Sequence, residues 1–138
     1  MSNETAAAIS HVNPPELGTP PGYSQVVEVR AGRLVFIAGQ TAVDRDGEIV
    51  GKNDFAAQAA QVFANLAAAL AAVGATAANL VKLTVFVTDM ENLFSYREAR
   101  NRFFAAVTPP AAPAVTLVEV SKLYGPDFLI EIEAIAAV

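Results

Sequence analysis

The sequence predicts an α+β fold in which one β-sheet carries two helices on the same face. Short runs rich in β-branched and aromatic residues alternate with two longer segments that have helical spacing of apolar residues. The predicted order is ββ(β)αβαββ, and the last run is apolar on both faces of a strand. At 138 residues the chain has the length of one domain with a substantial core.

The composition excludes several kinds of site. The chain has no cysteine, which removes disulfides, thiolate nucleophiles and cysteine-ligated metals. The one histidine, His11, lies in a proline-rich leader, and no clustered Asp/Glu loop offers a metal site. The net charge of −5 opposes binding to nucleic acid or to an anionic membrane surface. Without a recognisable membrane span or signal peptide, we expect a cytoplasmic protein.

The N-terminal part is predicted to be irregular chain followed by a hairpin. Prolines between residues 14 and 21 favour extended or irregular backbone. We expect residues 1–13 to form a flexible leader and residues 14–138 to form a single domain. Val26–Val29 and Leu34–Ala38 then predict two strands that pair across the turn Ala31-Gly32.

The first predicted helix begins after an N-cap residue, Asn53 or Asp54, and ends before Gly74, which stands in the expected C′ position. Its apolar stripe comprises Phe55, Ala59, Val62, Leu66, Leu70 and Val73, and its polar side comprises Gln58, Gln61 and Asn65.

The rest of the chain predicts a second helix and three strands. This helix follows Asp89 or Asn92 and runs to about Ala106, shortly before Pro109, Pro110 and Pro113. The strands are Val81–Thr88, Val115–Val120 and Phe128–Ala136.

The last strand is apolar on one face and mixed on the other. Leu129, Glu131, Glu133 and Ile135 point one way, and Phe128, Ile130, Ile132 and Ala134 point the other way. A sheet covered by helices on only one face therefore needs a second partner. Self-association into a barrel of sheets would supply that partner.

The candidate chemical groups are few. Glu131 and Glu133 share one face of the last strand, and they belong either to a solvated surface or to a cleft where burial raises a carboxylate pKa. Gly39, after Ala38, marks either an ordinary strand end or a place where a ligand approaches the backbone. Tyr23 is either a packed aromatic residue or a phenol that donates to a ligand.

The second predicted helix carries three arginines, Arg97, Arg100 and Arg102, which are either solvated or in contact with a substrate. The chain has no phosphate-binding glycine loop, no serine in a nucleophile elbow and no histidine placed to activate one. The remaining possibilities are general acid–base catalysis by a carboxylate, or ligand binding without catalysis.

Four segments in order resemble the RidA (YjgF) family, and together they cover nearly the whole chain after Pro14. These are Gly22-Tyr23-Ser24-Gln25, Leu34-Val35-Phe36-Ile37-Ala38-Gly39-Gln40, the run from Val81 to Asp89, and Ile130-Glu131-Ile132-Glu133-Ala134-Ile135-Ala136. The resemblance implies a chorismate-mutase-like fold with a mixed sheet. It also implies a homotrimer whose sheets form a central barrel, with three clefts between subunits.

The resemblance also implies a reaction. In deaminating members a glutamate of the final strand positions a water that attacks an imine and releases ammonia. Glu131 matches that glutamate, Tyr23 matches the cleft tyrosine and Gly39 matches a backbone contact. The chemistry requires no metal and no organic cofactor.

Four positions depart from the family pattern. Val115 stands where active 2-imino-acid deaminases carry the arginine that clamps the substrate carboxylate. Ala38 replaces a frequent serine, and Leu117 replaces a frequent cysteine. Arg97 aligns with a frequent asparagine and offers a positive charge from another direction.

Two hypotheses follow. The first is a deaminase-like hydrolase of a small imine or enamine, with its preference shifted away from 2-imino acids. The second is a non-catalytic protein that binds or senses an apolar metabolite on the same scaffold. A ribonuclease role fits poorly with the net charge of −5 and the lack of a histidine base.

Overall fold

Residues 5–138 are described by a computed structural model with six strands and two α-helices. The elements are β1 (Ala8–Val12), β2 (Val26–Arg30), β3 (Leu34–Gln40), α1 (Phe55–Ala72), β4 (Leu80–Val87), α2 (Leu93–Phe104), β5 (Ala114–Glu119) and β6 (Ile130–Ala137). The α+β architecture predicted from the sequence is confirmed.

The main sheet is mixed and has the strand order β3-β6-β4-β5. Strand β6 is antiparallel to both of its neighbours, whereas β4 and β5 run parallel. The parallel pair is joined through α2, as a parallel connection requires a crossover. Helix α1 packs against β3, β6 and α2, so the last strand in the chain lies at the centre of the fold.

The N-terminal segment is more regular than expected. Of the predicted leader, residues 8–12 form strand β1, which pairs antiparallel with β2. Apolar and polar residues alternate too weakly in this strand to identify it from sequence. Residues 1–4 lie outside the described part of the chain, so the prediction for them stays untested.

The predicted pairing between β2 and β3 is wrong. The turn itself is present, since Ala31 and Gly32 have φ values of 59° and 82°. However, β2 pairs with β1 in a separate two-stranded sheet, and β3 pairs with β6. A Cβ on Gly32 would lie 2.6 Å from the backbone oxygen of Val138, so the turn runs tightly past the C-terminus. It therefore passes the chain from one sheet to the other.

The helix ends follow the predicted caps. The Asp54 side chain accepts a hydrogen bond from the Ala57 amide at 3.1 Å, so Asp54 rather than Asn53 is the N-cap of α1. Gly74, with a φ of 73°, follows the last turn of that helix. Helix α2 begins after a short 3-10 turn capped by Asp89, and it ends slightly earlier than predicted.

Helix α1 forms one wall of the core. By length and composition alone this helix would suit a membrane span. In the fold its apolar stripe is instead buried against the sheet, with Ala59, Val62 and Leu66 fully inaccessible to solvent. Its composition is therefore explained by packing between a sheet and a second helix.

Gln58 was expected on the polar side of α1, but it is fully buried. Its Nε2 donates to the carbonyl oxygens of Asp127 at 2.8 Å and of Gly51 at 3.2 Å. Its Oε1 accepts a hydrogen bond from the Leu129 amide at 2.9 Å. One side chain thus satisfies three backbone groups and ties the β5–β6 loop to α1.

The two faces of β6 alternate as predicted. Ile130, Ile132 and Ala134 are buried under the helices, whereas Glu131 and Glu133 lie on the opposite face. We call this opposite face of the main sheet the open face. It also carries large apolar side chains, and Phe36 on β3 is 73% exposed there.

We expect Gln58→Leu to destabilise the protein by roughly 3 kcal/mol, because it leaves three buried backbone groups without partners. Urea unfolding followed by circular dichroism measures this change. Gln61→Leu is the matched control on the same helix, since Gln61 is only partly buried and water can replace its bonds. Equal losses in the two variants would contradict this role for Gln58.

Candidate functional site

Glu131 and Gly39 meet where strand β3 bulges against β6. The two strands pair in register up to Ile37, and one extra residue shifts the register before Gln40. A Cβ on Gly39 would overlap a carboxylate oxygen of Glu131 and would lie 2.9 Å from its Cδ. Only glycine therefore leaves room for the carboxylate to lie over the backbone at this point.

The Glu131 carboxylate is available for chemistry. Among residues 5–138 no donor or cation is bonded to it. Burial raises the pKa of Glu131, and the negative charge of Glu133 on the same face raises it further. A partly buried carboxylate with a raised pKa and no protein partner can accept a proton from a bound water.

A groove of about 360 Å³ follows the open face beside these carboxylates. It is lined by Phe36, Ala38, Lys82, Thr84, Glu133 and Ile135, among others. The Lys82 ammonium donates to the Leu83 carbonyl at 2.9 Å and to the Thr84 hydroxyl at 3.3 Å. Burial lowers the pKa of Lys82, and Glu133 opposes that change.

The other predicted site residues line a second cavity, of about 170 Å³, between β5 and α2. We call it the α2 cavity, and its lining comprises Tyr23, Leu93, Tyr96, Arg97, Arg100, Val115 and Leu117. Five of these residues were candidates from the sequence, namely Tyr23, Arg97, Arg100, Val115 and Leu117, but the sequence did not show that they share one cavity. Arg100, one of three arginines considered on this helix, is buried there, whereas Arg97 is exposed.

The two groups of predicted residues do not meet within one chain. Val115 stands opposite Leu83, on the helix side of the sheet. Glu131 stands opposite Phe86, on the open face. A site that uses both Glu131 and the α2 cavity therefore requires two copies of the chain.

A third cavity, of about 410 Å³, lies under the β5–β6 loop and was not predicted. Tyr124 and Phe128 form part of its wall, with ring centroids 4.7 Å apart. The hydroxyl oxygens of Tyr124 and Thr41 are hydrogen-bonded at 2.7 Å. In the described part of the chain, no cavity contains three or more His, Cys, Asp or Glu side chains placed to hold a metal ion.

Comparison with known proteins identifies the family. A family model described as Endoribonuclease L-PSP matches residues 16–138. The chain belongs to this family, known as YjgF/RidA. A RutC family protein of Pyrococcus horikoshii is 42% identical over 115 residues, which cover 83% of this chain and 85% of that protein.

Solved structures of the YjgF/RidA family share the fold. A Rid family protein of unknown function from Yersinia pestis, YyfB, has a TM-score of 0.83 and 35% identity, and the match covers 94% of this chain and 98% of that one. Escherichia coli TdcF, solved with bound serine, has a TM-score of 0.71 and 33% identity over 88% of this chain and 91% of that one. The family resemblance stated from sequence is thus confirmed.

We expect Glu131→Gln to stabilise the protein at about pH 8 and to have little effect at about pH 4. The folded state holds this proton more tightly than the unfolded state, because the pKa of Glu131 is raised above 4.5. Wild type therefore loses stability as pH rises through the window between 4.5 and the raised pKa. Urea unfolding at both pH values measures the difference.

Glu28→Gln, on exposed strand β2, is the control for removing one negative charge. A stability gain of Glu131→Gln that is equal at both pH values, or equal to that of Glu28→Gln, would contradict the raised pKa.

Proposed function

We propose that this YjgF/RidA protein hydrolyses a small imine or enamine in a cleft formed between two subunits. The observation that carries the proposal is the Glu131 carboxylate, which lies over Gly39, has no hydrogen-bond or ion-pair partner among residues 5–138 and has a raised pKa. A raised pKa makes this carboxylate a stronger base than an ordinary glutamate, which suits a general base. The cytoplasm is the expected place for this chemistry.

The proposed reaction needs one water. Glu131 accepts a proton from that water while the water oxygen bonds to the imine carbon and the C=N π electrons move to the nitrogen. This proton passes to the nitrogen and gives an amino alcohol. The hydroxyl proton then reaches the nitrogen as well, the C=O bond forms while the C–N bond breaks, and ammonia leaves behind a carbonyl compound. An enamine reaches the same path after it tautomerises to the imine. Gly39 leaves room for the carboxylate to lie over the backbone, where it would hold this water.

The open face supports assembly into the homotrimer that the family resemblance implies. Phe36 and Leu34 on β3 are 73% and 58% exposed. Exposing such large apolar side chains to water is unfavourable for a monomer. Contact between open faces of three copies would cover them. The same contact would bring Glu131 of one copy towards the α2 cavity of another.

The relatives support small-molecule chemistry more than nuclease action. TdcF was solved with serine, a small amino acid. The family model is described as an endoribonuclease, but this chain has a net charge of −5 and one histidine, the exposed His11. That charge opposes binding to a phosphate backbone.

Binding without turnover is the alternative, and Val115 is the observation that favours it. Val115 is an apolar residue in the α2 cavity, where deaminating members of the family are expected to carry a clamp for the substrate. Ammonia release from a panel of small imines separates the two functions, since a carrier or sensor binds the panel without producing ammonia.

We expect Glu131→Gln to abolish ammonia release, because the amide keeps the shape of the side chain but cannot accept the proton. Glu133→Gln is the matched control, and it should lower activity only a few-fold through the lost charge beside Glu131. Coupled glutamate dehydrogenase assays measure the ammonia. Equal losses in both variants would show that the base is misassigned.

Subunit mixing tests whether the site spans two chains. Val115→Phe should inactivate the protein by filling the α2 cavity, and Glu131→Gln should inactivate it by removing the base. In a random 1:1 co-assembly, about a quarter of all sites pair an intact carboxylate with an intact cavity, so about a quarter of wild-type activity should return.

The mixed species should have about three times the 14.4 kDa chain mass by light scattering. Mixed trimers without activity would mean that each site lies within one chain. A stable monomer would contradict the proposal that the site lies between subunits.

A further inference from the structure

The cavity under the β5–β6 loop, which we call the loop cavity, has no role in the reaction as proposed. Its volume of about 410 Å³ lies within the range of small-molecule sites, roughly 300–1,000 Å³. Its apolar walls are supplied by Leu123, Tyr124, Pro126, Phe128 and Leu129. Lys122, the one charged residue in this lining, is exposed to solvent, where a cation adds little to ligand binding. The loop cavity is therefore suited to an apolar group rather than to an anion.

Two aromatic rings are held in place at the wall of the loop cavity. Tyr124 and Phe128 have ring centroids 4.7 Å apart and ring planes inclined by 43°. The Phe128 ring rests on Gly125, where a Cβ would lie 2.8 Å from Cε2 of that ring. The Tyr124 hydroxyl is hydrogen-bonded at 2.7 Å to that of Thr41, which is 3% exposed. Both rings are thus positioned before any ligand binds.

Tyr124 is 73% exposed even though its hydroxyl is anchored to a buried residue. Most of its apolar surface remains in water, so the ring contributes little to the stability of the chain itself. A second ring that packed against Tyr124 would remove this surface from water and add a favourable aromatic contact. The exposed ring therefore favours an aromatic ligand.

The loop cavity adjoins the Glu131 carboxylate along the sheet. Leu129 precedes Glu131 by two residues, so both side chains leave the backbone on the open face. The Thr88 amide donates to the Leu129 carbonyl at 3.2 Å, which continues the pairing of Phe86 with Glu131. Two residues of a strand span roughly 6.6 Å. Part of that distance is taken by the water, so a ring in the loop cavity would lie about one or two carbons from the reacting carbon.

The end of β3 connects the two places from the other side. Gly39 lies under the Glu131 carboxylate, and Thr41, which holds Tyr124, follows Gly39 by two residues. One short segment therefore fixes both the proposed base and the aromatic wall.

We propose that the loop cavity is a subsite for an aromatic group of the substrate, with Tyr124 and Phe128 as its specificity-determining residues. The inference rests on the proposed function, and it names the substrate class as imines or enamines that carry an aryl group about one or two carbons from the C=N carbon. The aryl ring packs against Tyr124 and Phe128, while the C=N carbon faces the water at Glu131.

Binding of phenylacetone, a stable carbonyl compound of the proposed shape, tests the subsite without turnover. Acetone, which lacks the ring, is the matched probe. In ligand-observed NMR titrations of the assembled protein, wild type should bind phenylacetone roughly tenfold more tightly than acetone. Tyr124→Ala should weaken phenylacetone binding about fivefold or more, and Tyr124→Phe should weaken it less because the ring remains. Phe94→Ala is the control, since Phe94 is also 73% exposed but lies outside the cavity, and it should leave binding unchanged.

Equal losses in Tyr124→Ala and Phe94→Ala, or equal affinities of wild type for the two probes, would overturn the subsite. A Tyr124→Ala protein that dissociates into monomers and still binds phenylacetone as wild type does would also overturn it, because the ring would then serve subunit contact. If Tyr124→Ala does not fold, the methyl NMR signals of Leu129 in wild type decide, since they shift on phenylacetone addition only if the ring enters the loop cavity.

Ammonia release separates the subsite from the proposed reaction. Phenylacetone binding that is lost in Tyr124→Ala, together with no ammonia release by wild type from any imine, would contradict the reaction but retain the subsite. Ammonia release from a methyl imine at the same rate as from a benzyl imine would retain the reaction and overturn the subsite.

Discussion

Strand β6 lies between β3 and β4, and its residues alternate between the helix-covered face and the open face of the main sheet. Ile130, Ile132 and Ala134 face the helices, while Glu131 and Glu133 face away from them. A slip of one residue would move both carboxylates into the apolar core, so the hydrophobic pattern fixes the register firmly. The position of the candidate base thus follows from the same alternation that builds the core.

Local signals in the sequence predicted most elements of the fold, and pairing between distant segments was less predictable. Asp54 and Gly74 mark the ends of α1 through their own backbone preferences. The partner of β2 and the burial of Gln58 depend on where other segments pass. Gln58 is buried because the loop at Asp127 brings unpaired backbone groups to it, which helical periodicity does not reveal.

The candidate site was only partly predictable, because residue types can be read from the sequence but contacts between distant segments cannot. Glu131 and Gly39 stood out by residue type, but the bulge that brings them together is a property of the β3–β6 pair. Arg100 was one of three arginines on α2. Helical phase places it one turn after Tyr96, and the packing of Gly22 and Tyr96 around it explains why it is buried whereas Arg102 is exposed.

The three hydrogen bonds of Gln58 also restrict the motion of the segment that precedes β6. Two of them connect the end of the β5–β6 loop to the first turn of α1, and the third holds the segment at Gly51, so this end of the loop cannot open without disrupting the core. The Leu129 amide should consequently exchange its proton with solvent on the slow timescale of core amides, although it lies next to a surface loop. The segment that leads into β6 and Glu131 is thereby a rigid support, and motion that admits a ligand to the proposed cleft would come from another of its walls.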